Sequence, residues 1–193
     1  NALAAADALR PLAGHRRQAR WQSAAGVHSR DLLRDAPIHE TERPRLAAPS
    51  EGQTIVADYD STGLTLNRHP VSLLRAQLAA RRFEPAEVLN TYPDRRLARA
   101  CGIVTVRQRP QTAKGTIFVT IEDETGPVNV VVRNDLIERQ RRELLGAVLL
   151  GVYGTWQNVD NVRNLVAQRL VDLSALLQQL DEDGLQARSR NFH

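Results

Sequence analysis

Arg107, Arg109 and Lys114 stand in one short run, Arg107-Gln-Arg-Pro-Gln-Thr-Ala-Lys114, that contains no acid. Cations at that spacing on an exposed loop attract a polyanion, and the guanidinium adds a planar fork that suits phosphate. Phe118 follows in the next apolar run, between Thr116 and Thr120. A ring kept outside a core offers a flat face for stacking, worth ~1–3 kcal/mol when the partner is a base. The other reading of this ring is packing beneath the neighbouring segment, residues 55–95. By alternation, Asn129 and Arg133 share a face with Phe118. Arg107, Arg109, Lys114, Phe118, Thr120, Asn129 and Arg133 together have the chemistry of contact with phosphate and base, and none of bond making.

Other constellations are weaker. Asp58-Tyr-Asp60 places two carboxylates at i, i+2, which on a strand end would point the same way and hold Mg²⁺. No third carboxylate accompanies them, and Asp-x-Asp before Ser-Thr-Gly is also turn chemistry. Gly14-His15-Arg16-Arg17 at a helix start would offer amides to a phosphate; the plainer reading is an Arg-rich solvent face. The five histidines do not cluster at ligand spacing, Cys101 is alone, and neither a Gly-x-Ser-x-Gly elbow nor a phosphate-binding Gly-Lys loop is present. No catalytic residue, metal ligand or cofactor is assigned within the chain.

Composition agrees with a binding role. The net charge is +4, and 25 of the 26 basic residues are Arg. From Arg95 to Ile121 there are six cations and no acid; acids return at Glu122, Asp123 and Glu124. A local positive patch of that kind suits a phosphate backbone. Aromatics are 4% of the chain, so the core is aliphatic. No methionine occurs and residue 1 is Asn, so a piece of a longer chain is expected. No apolar run reaches spanning length, and a single cysteine fits a reducing cytoplasm.

These residues need elements to hold them. Residues 1–26 read as helical, broken at Pro11. Residues 27–54 read as an extended linker punctuated by Pro37, Pro44, Pro49 and Gly52. Residues 55–98 read as a small α/β connector: a short strand from Thr54 with a turn at Gly63, a helix after His69-Pro70 with Leu73, Leu74, Gln77 and Leu78 on one face, and a second helix over 85–90. Five strands follow, about 99–108, 115–122, 128–133, 148–157 and 162–170, with one helix over 134–145 between the third and fourth. Alternation puts Ile117, Val119, Ile121, Val128, Val130 and Val132 in a core, and sets Tyr153 and Trp156 on opposite faces. The order β-β-β-α-β-β is that of an oligonucleotide-binding (OB) barrel, over residues 99–172. Leu173, Leu176, Leu177 and Leu180 then form a helical stripe in the C-terminal segment, residues 173–193. It reads as a plug for the barrel or as a partner-docking helix. The fold class is α+β.

The run Arg107 to Asn129 closely resembles a segment of bacterial C-family DNA polymerases, and in particular their error-prone branch. Gly63-Leu-Thr-Leu-Asn-Arg-His-Pro70, Leu73-Leu-Arg75, Ala4-Ala-Ala-Asp-Ala8 and Leu12-Ala-Gly-His-Arg-Arg17 resemble the same branch in the same order, and Ser189-Arg-Asn-Phe-His193 resembles its C-terminus. The resemblance implies a non-catalytic C-terminal part of a DNA-directed DNA polymerase that extends primers across damaged template in induced mutagenesis. Residues 1–26 would close a helix-hairpin-helix region. The barrel would bind single-stranded template. Catalytic aspartates and Mg²⁺ would belong to an upstream site outside the chain. Implied partners are template DNA, an inactive Y-family-like polymerase and a RecA-like protein, in the cytoplasm. The alternative it leaves is a module that docks the polymerase to those accessory proteins.

Overall fold

In the computed structural model, residues 2–25, 44–62, 65–110, 115–160 and 162–180 are described. The chain divides into two compact units between Leu66 and Asn67, inside the stretch read above as one connector.

The described part of the first unit is helical: α1 (Ala2–Ala5), α2 (Arg10–Ala13), α3 (Arg16–Ala25) and α4 (Glu51–Thr62). Pro11 does not break a helix. It sits in the first turn of α2, where its missing N–H costs nothing; the interruption is at Asp7, whose φ is 59°. The strand expected from Thr54 is instead α4. Its start is a reciprocal cap, with Gln53 N donating to Ser50 Oγ at 3.1 Å and Ser50 N donating to Gln53 Oε1 at 3.1 Å.

The second unit opens with α5 (Pro70–Ala80) and α6 (Ala86–Leu89). On α5 the buried face is Val71, Leu74 and Leu78; Leu73 is half-buried and Gln77 is exposed. His69 caps α5 by accepting the Val71 N–H on Nδ1 at 3.3 Å. Burial lowers the His69 pKa from 6.5, and a protonated Nδ1 would lose that acceptor. Its folded value lies below the unfolded one, so stability is full above pH 6.5 and falls as pH drops below it. Unfolding midpoints measured in acid should therefore fall from about pH 6.5. The His69→Asn variant, which keeps a capping oxygen, should lack that first phase.

Five strands close into a barrel in the order β1-β2-β3-β5-β4: β1 (Leu97–Gln108), β2 (Ile117–Asp123), β3 (Gly126–Val132), β4 (Leu149–Val159) and β5 (Val162–Asp172). β1 closes it by pairing with β4 through its first half and β2 through its second. β3 and β5 are the parallel pair, over Val130 and Val131 only. The alternation expected of β2 and β3 is observed, with Ile117, Val119, Ile121, Val128, Val130 and Val132 all buried. Leu150, Val152, Trp156, Leu165 and Leu170 meet them from β4 and β5, and α6 adds Ala86 and Leu89. Burying a side chain of this size contributes about 1.5–3 kcal/mol.

The helix expected between β3 and β4 is two short ones, α7 (Asn134–Arg139) and α8 (Arg141–Gly146), parted at Gln140. The break has a use. Gln140 Nε2 donates to Leu170 O, and Leu170 N donates to Gln140 Oε1, both at 2.8 Å. The side-chain amide thus mimics a strand where β3 no longer covers β5. Gln140→Ala should lower stability by about 1–3 kcal/mol in denaturant unfolding, and Gln140→Glu nearly as much, because a carboxylate offers no donor to the Leu170 carbonyl. Beyond β5, residues 175–180 are helical. Leu173 and Leu176 are buried, while Leu177 and Leu180 are half-buried, so half of the stripe is committed to this chain.

Candidate nucleic-acid interface

Register decides what faces outward beside Phe118. Phe118 pairs with Val131 on β3 and with Gln108 on β1; Thr120 pairs with Asn129 and with Val106. These residues make one outer patch on β1, β2 and β3. Phe118 is 39% exposed and Val106 41%, and Thr120 Oγ1 donates to Asn129 Oδ1 at 3.3 Å. The structure therefore brings Phe118, Thr120 and Asn129 together.

The cations divide differently. Arg107 pairs in register with Val119, an inward position, because the β1–β2 register shifts between Val104 and Val106. Its guanidinium donates from Nε to Leu144 O at 2.8 Å and from Nη2 to Ala147 O. It caps the carbonyl end of α8, and burial lowers its pKa. Arg107 stays exposed, but these bonds draw its guanidinium toward the end of α8. Arg109 is exposed and has no ion pair among the described residues. Lys114 lies outside the described residues. Arg133 is exposed at the end of β3 and lines an open groove of about 510 Å³ with Arg95, Arg139, Thr155, Gln157 and Gln168.

The patch rests on the turn between β2 and β3. Gly126 takes φ 142°, a conformation that glycine adopts without strain. Asp123 is buried, and its Oδ1 accepts Thr125 N at 2.7 Å, Thr125 Oγ1 at 2.7 Å and Gly126 N at 3.1 Å. Its Oδ2 accepts Ala86 N at 2.8 Å, which ties α6 to the hairpin. Arg75 on α5 holds Glu124 with two hydrogen bonds, at 2.5 and 2.6 Å, and reaches Asp123 at 3.5 Å. Burial works against the charge of Glu124, but hydrogen bonds from Arg75 and the backbone, with the Arg75 charge, hold its carboxyl below the usual range. Cys101 is buried, and desolvation pushes its thiol up to about 12, so it is no nucleophile here.

The remaining candidates resolve into structural roles. Asp58 and Asp60 lie on α4, where i, i+2 residues diverge, so they form no paired site; Asp58 pairs with Arg16 and accepts Thr65 Oγ1 at 2.6 Å. Arg16 also donates to Thr54 O, Arg17 donates to Ala47 O and Gln53 Oε1, and His15 bonds Leu46 O. The Gly14–Arg17 motif thus binds its own unit. Among the described residues no group of three or more His, Cys, Asp or Glu side chains is placed to hold a metal, and no helix is long and apolar enough to cross a membrane.

Sequence reasoning missed Val106 and Gln108 on the patch, because a strand bulge carries no residue signature. It also missed a second arginine cluster on the outside of β1, β4 and β5. Tyr153 is half-buried and outward there, opposite in face to the buried Trp156, as alternation predicts.

Residues 98–173 match a family described as an OB-fold nucleic acid binding domain. Over all 193 residues the chain is 77% identical to the "Error-prone DNA polymerase" of Bordetella parapertussis, and over 190 residues it is 59% identical to that of Aromatoleum aromaticum. It spans 18% and 17% of those relatives, and 100% and 98% of its own length is matched. Among solved structures, asparaginyl-tRNA synthetase from Pyrococcus horikoshii aligns with 47% of this chain and 23% of its own, at 18% identity and a TM-score of 0.41.

Proposed function

We propose that this chain is a segment of an error-prone DNA polymerase whose barrel holds single-stranded template. Nucleotidyl transfer, with its Mg²⁺, would be the work of residues elsewhere in the whole protein. The observation that carries the reading is Phe118. It is a partly exposed ring on the outer wall of an OB barrel, between the side chains of β1 and β3, with amide and hydroxyl groups around it. A base stacks on the ring, Thr120 and Asn129 hydrogen-bond its edge, and Arg109, Lys114 and Arg133 neutralise phosphates.

Fluorescence anisotropy of the 193-residue chain with a labelled oligo(dT), repeated across salt, tests this. Three phosphate contacts predict that log K falls with log salt with a slope of about 2. Absence of binding at low salt would overturn the reading. Docking to an inactive Y-family-like polymerase and a RecA-like protein is compatible with it, through faces the strand leaves open. Leu173 and Leu176 are not available for that docking, because they are buried against this chain.

A further inference from the structure

The arginines of the second unit are held differently. Arg75, Arg95 and Arg139 pair with carboxylates, and Arg107 donates to backbone carbonyls. Arg82, Arg96, Arg99 and Arg169 make no ion pair among the described residues, and all four gather on one side of the barrel. There Arg96 lies over the Tyr92 ring at 3.7 Å, while Arg99 and Arg169 lie over the Tyr153 ring at 5.0 and 5.5 Å. Tyr153 is itself set by the edge of Phe83, with ring centroids 5.3 Å apart. Behind it, Gly154 sits where β4 shifts register against β5, and a Cβ there would lie 2.1 Å from Val166 O. No other residue allows that approach.

A groove of about 470 Å³ has Arg82, Tyr92, Arg96, Arg99, Tyr153 and Gln168 on its walls and Glu84 as its acid, and Arg169 stands beside it over the Tyr153 ring. Gln168 also lines the groove that Arg133 enters from the end of β3. The two grooves therefore meet at Gln168, and the one that Arg133 enters carries Asp94 and Asp135 beside its cations.

We propose that the groove lined by Arg82, Arg96 and Arg99, with Arg169 beside it, is a track for the sugar-phosphate backbone of a single strand that enters or leaves the Phe118 face. The inference rests on the reading of the barrel as a nucleic-acid binder. Guanidinium groups cover Tyr92 and Tyr153, so those rings are poorly placed to stack a base. The guanidinium edges keep N–H donors for phosphate. The track therefore reads charge and spacing, not sequence.

The Arg96→Gln/Arg169→Gln double variant tests it, with labelled oligo(dT) of about 30 nucleotides, long enough to pass beyond one barrel site. Both arginines are exposed, so the loss of their ring contacts should lower the thermal midpoint only slightly. The salt slope should fall by about 1.4, the effect of two lost phosphate contacts, and affinity at low salt by roughly tenfold. An unchanged slope and affinity, in a chain whose wild type binds, overturns the track alone. A wild-type chain that does not bind overturns the proposed function and the track with it.

Discussion

Replacing Asp123 with Ala should lower stability by about 3–5 kcal/mol, the largest effect expected of any single substitution described here. The carboxylate is buried and takes hydrogen bonds from Thr125 N, Thr125 Oγ1, Gly126 N and Ala86 N, with Arg75 Nη2 at 3.5 Å. Alanine leaves those donors facing an apolar methyl, and each unsatisfied buried donor costs about 1–3 kcal/mol where water cannot replace the partner. The loss is also topological. Asp123 joins the β2–β3 turn to the start of α6, and Arg75 adds α5 to the same point. Asp123→Asn should have a smaller effect, because its carbonyl oxygen still closes the turn while its NH₂ opposes the Ala86 N–H. Urea unfolding followed by circular dichroism gives both values. A loss below about 1 kcal/mol for the alanine variant would show that this latch is not what holds the hairpin.

Phe118→Ala should weaken single-strand binding by about 1–3 kcal/mol, or roughly 5- to 150-fold. The ring is 39% exposed, so little of its burial is lost and stability should change far less than binding does. Phe118→Tyr should retain affinity because it keeps the flat face. Phe118→Leu should not, although it keeps apolar bulk. Adding Arg109→Ala should lower the salt slope by a further ~0.7, since that change removes a phosphate contact rather than a stacking partner. Unchanged binding in the Phe118→Ala/Arg109→Ala variant would remove this face from the account.

Much of this was legible in the sequence, because a barrel with one buried face writes its register as alternation. Ile117, Val119 and Ile121 against Phe118 and Thr120 is such a pattern, and the structure follows it residue by residue. What failed was geometry that alternation does not encode. The register shift after Val104 sets Arg107 opposite Val119, with its guanidinium on the end of α8, and sets Val106 and Gln108 beside Thr120 and Phe118 instead. The strand expected from Thr54 failed for another reason. Ile55-Val56 is an apolar pair too short to fix a period, whereas Ser50-Glu-Gly-Gln53 is a helix-start signature inside a run that reads as a linker. The arginine–tyrosine cluster was hidden because its members come from residues 82 to 169 and meet only once the barrel closes.

The most direct test of the central claim is an amide ¹H–¹⁵N NMR titration of the chain with oligo(dT). The account predicts the largest shifts at Val106, Gln108, Phe118, Thr120, Asn129 and Val131, with Arg133, Arg96 and Arg99 following as the oligonucleotide lengthens. Shifts confined to residues 175–180 or to the first unit, with the β1–β2–β3 face silent, would contradict it.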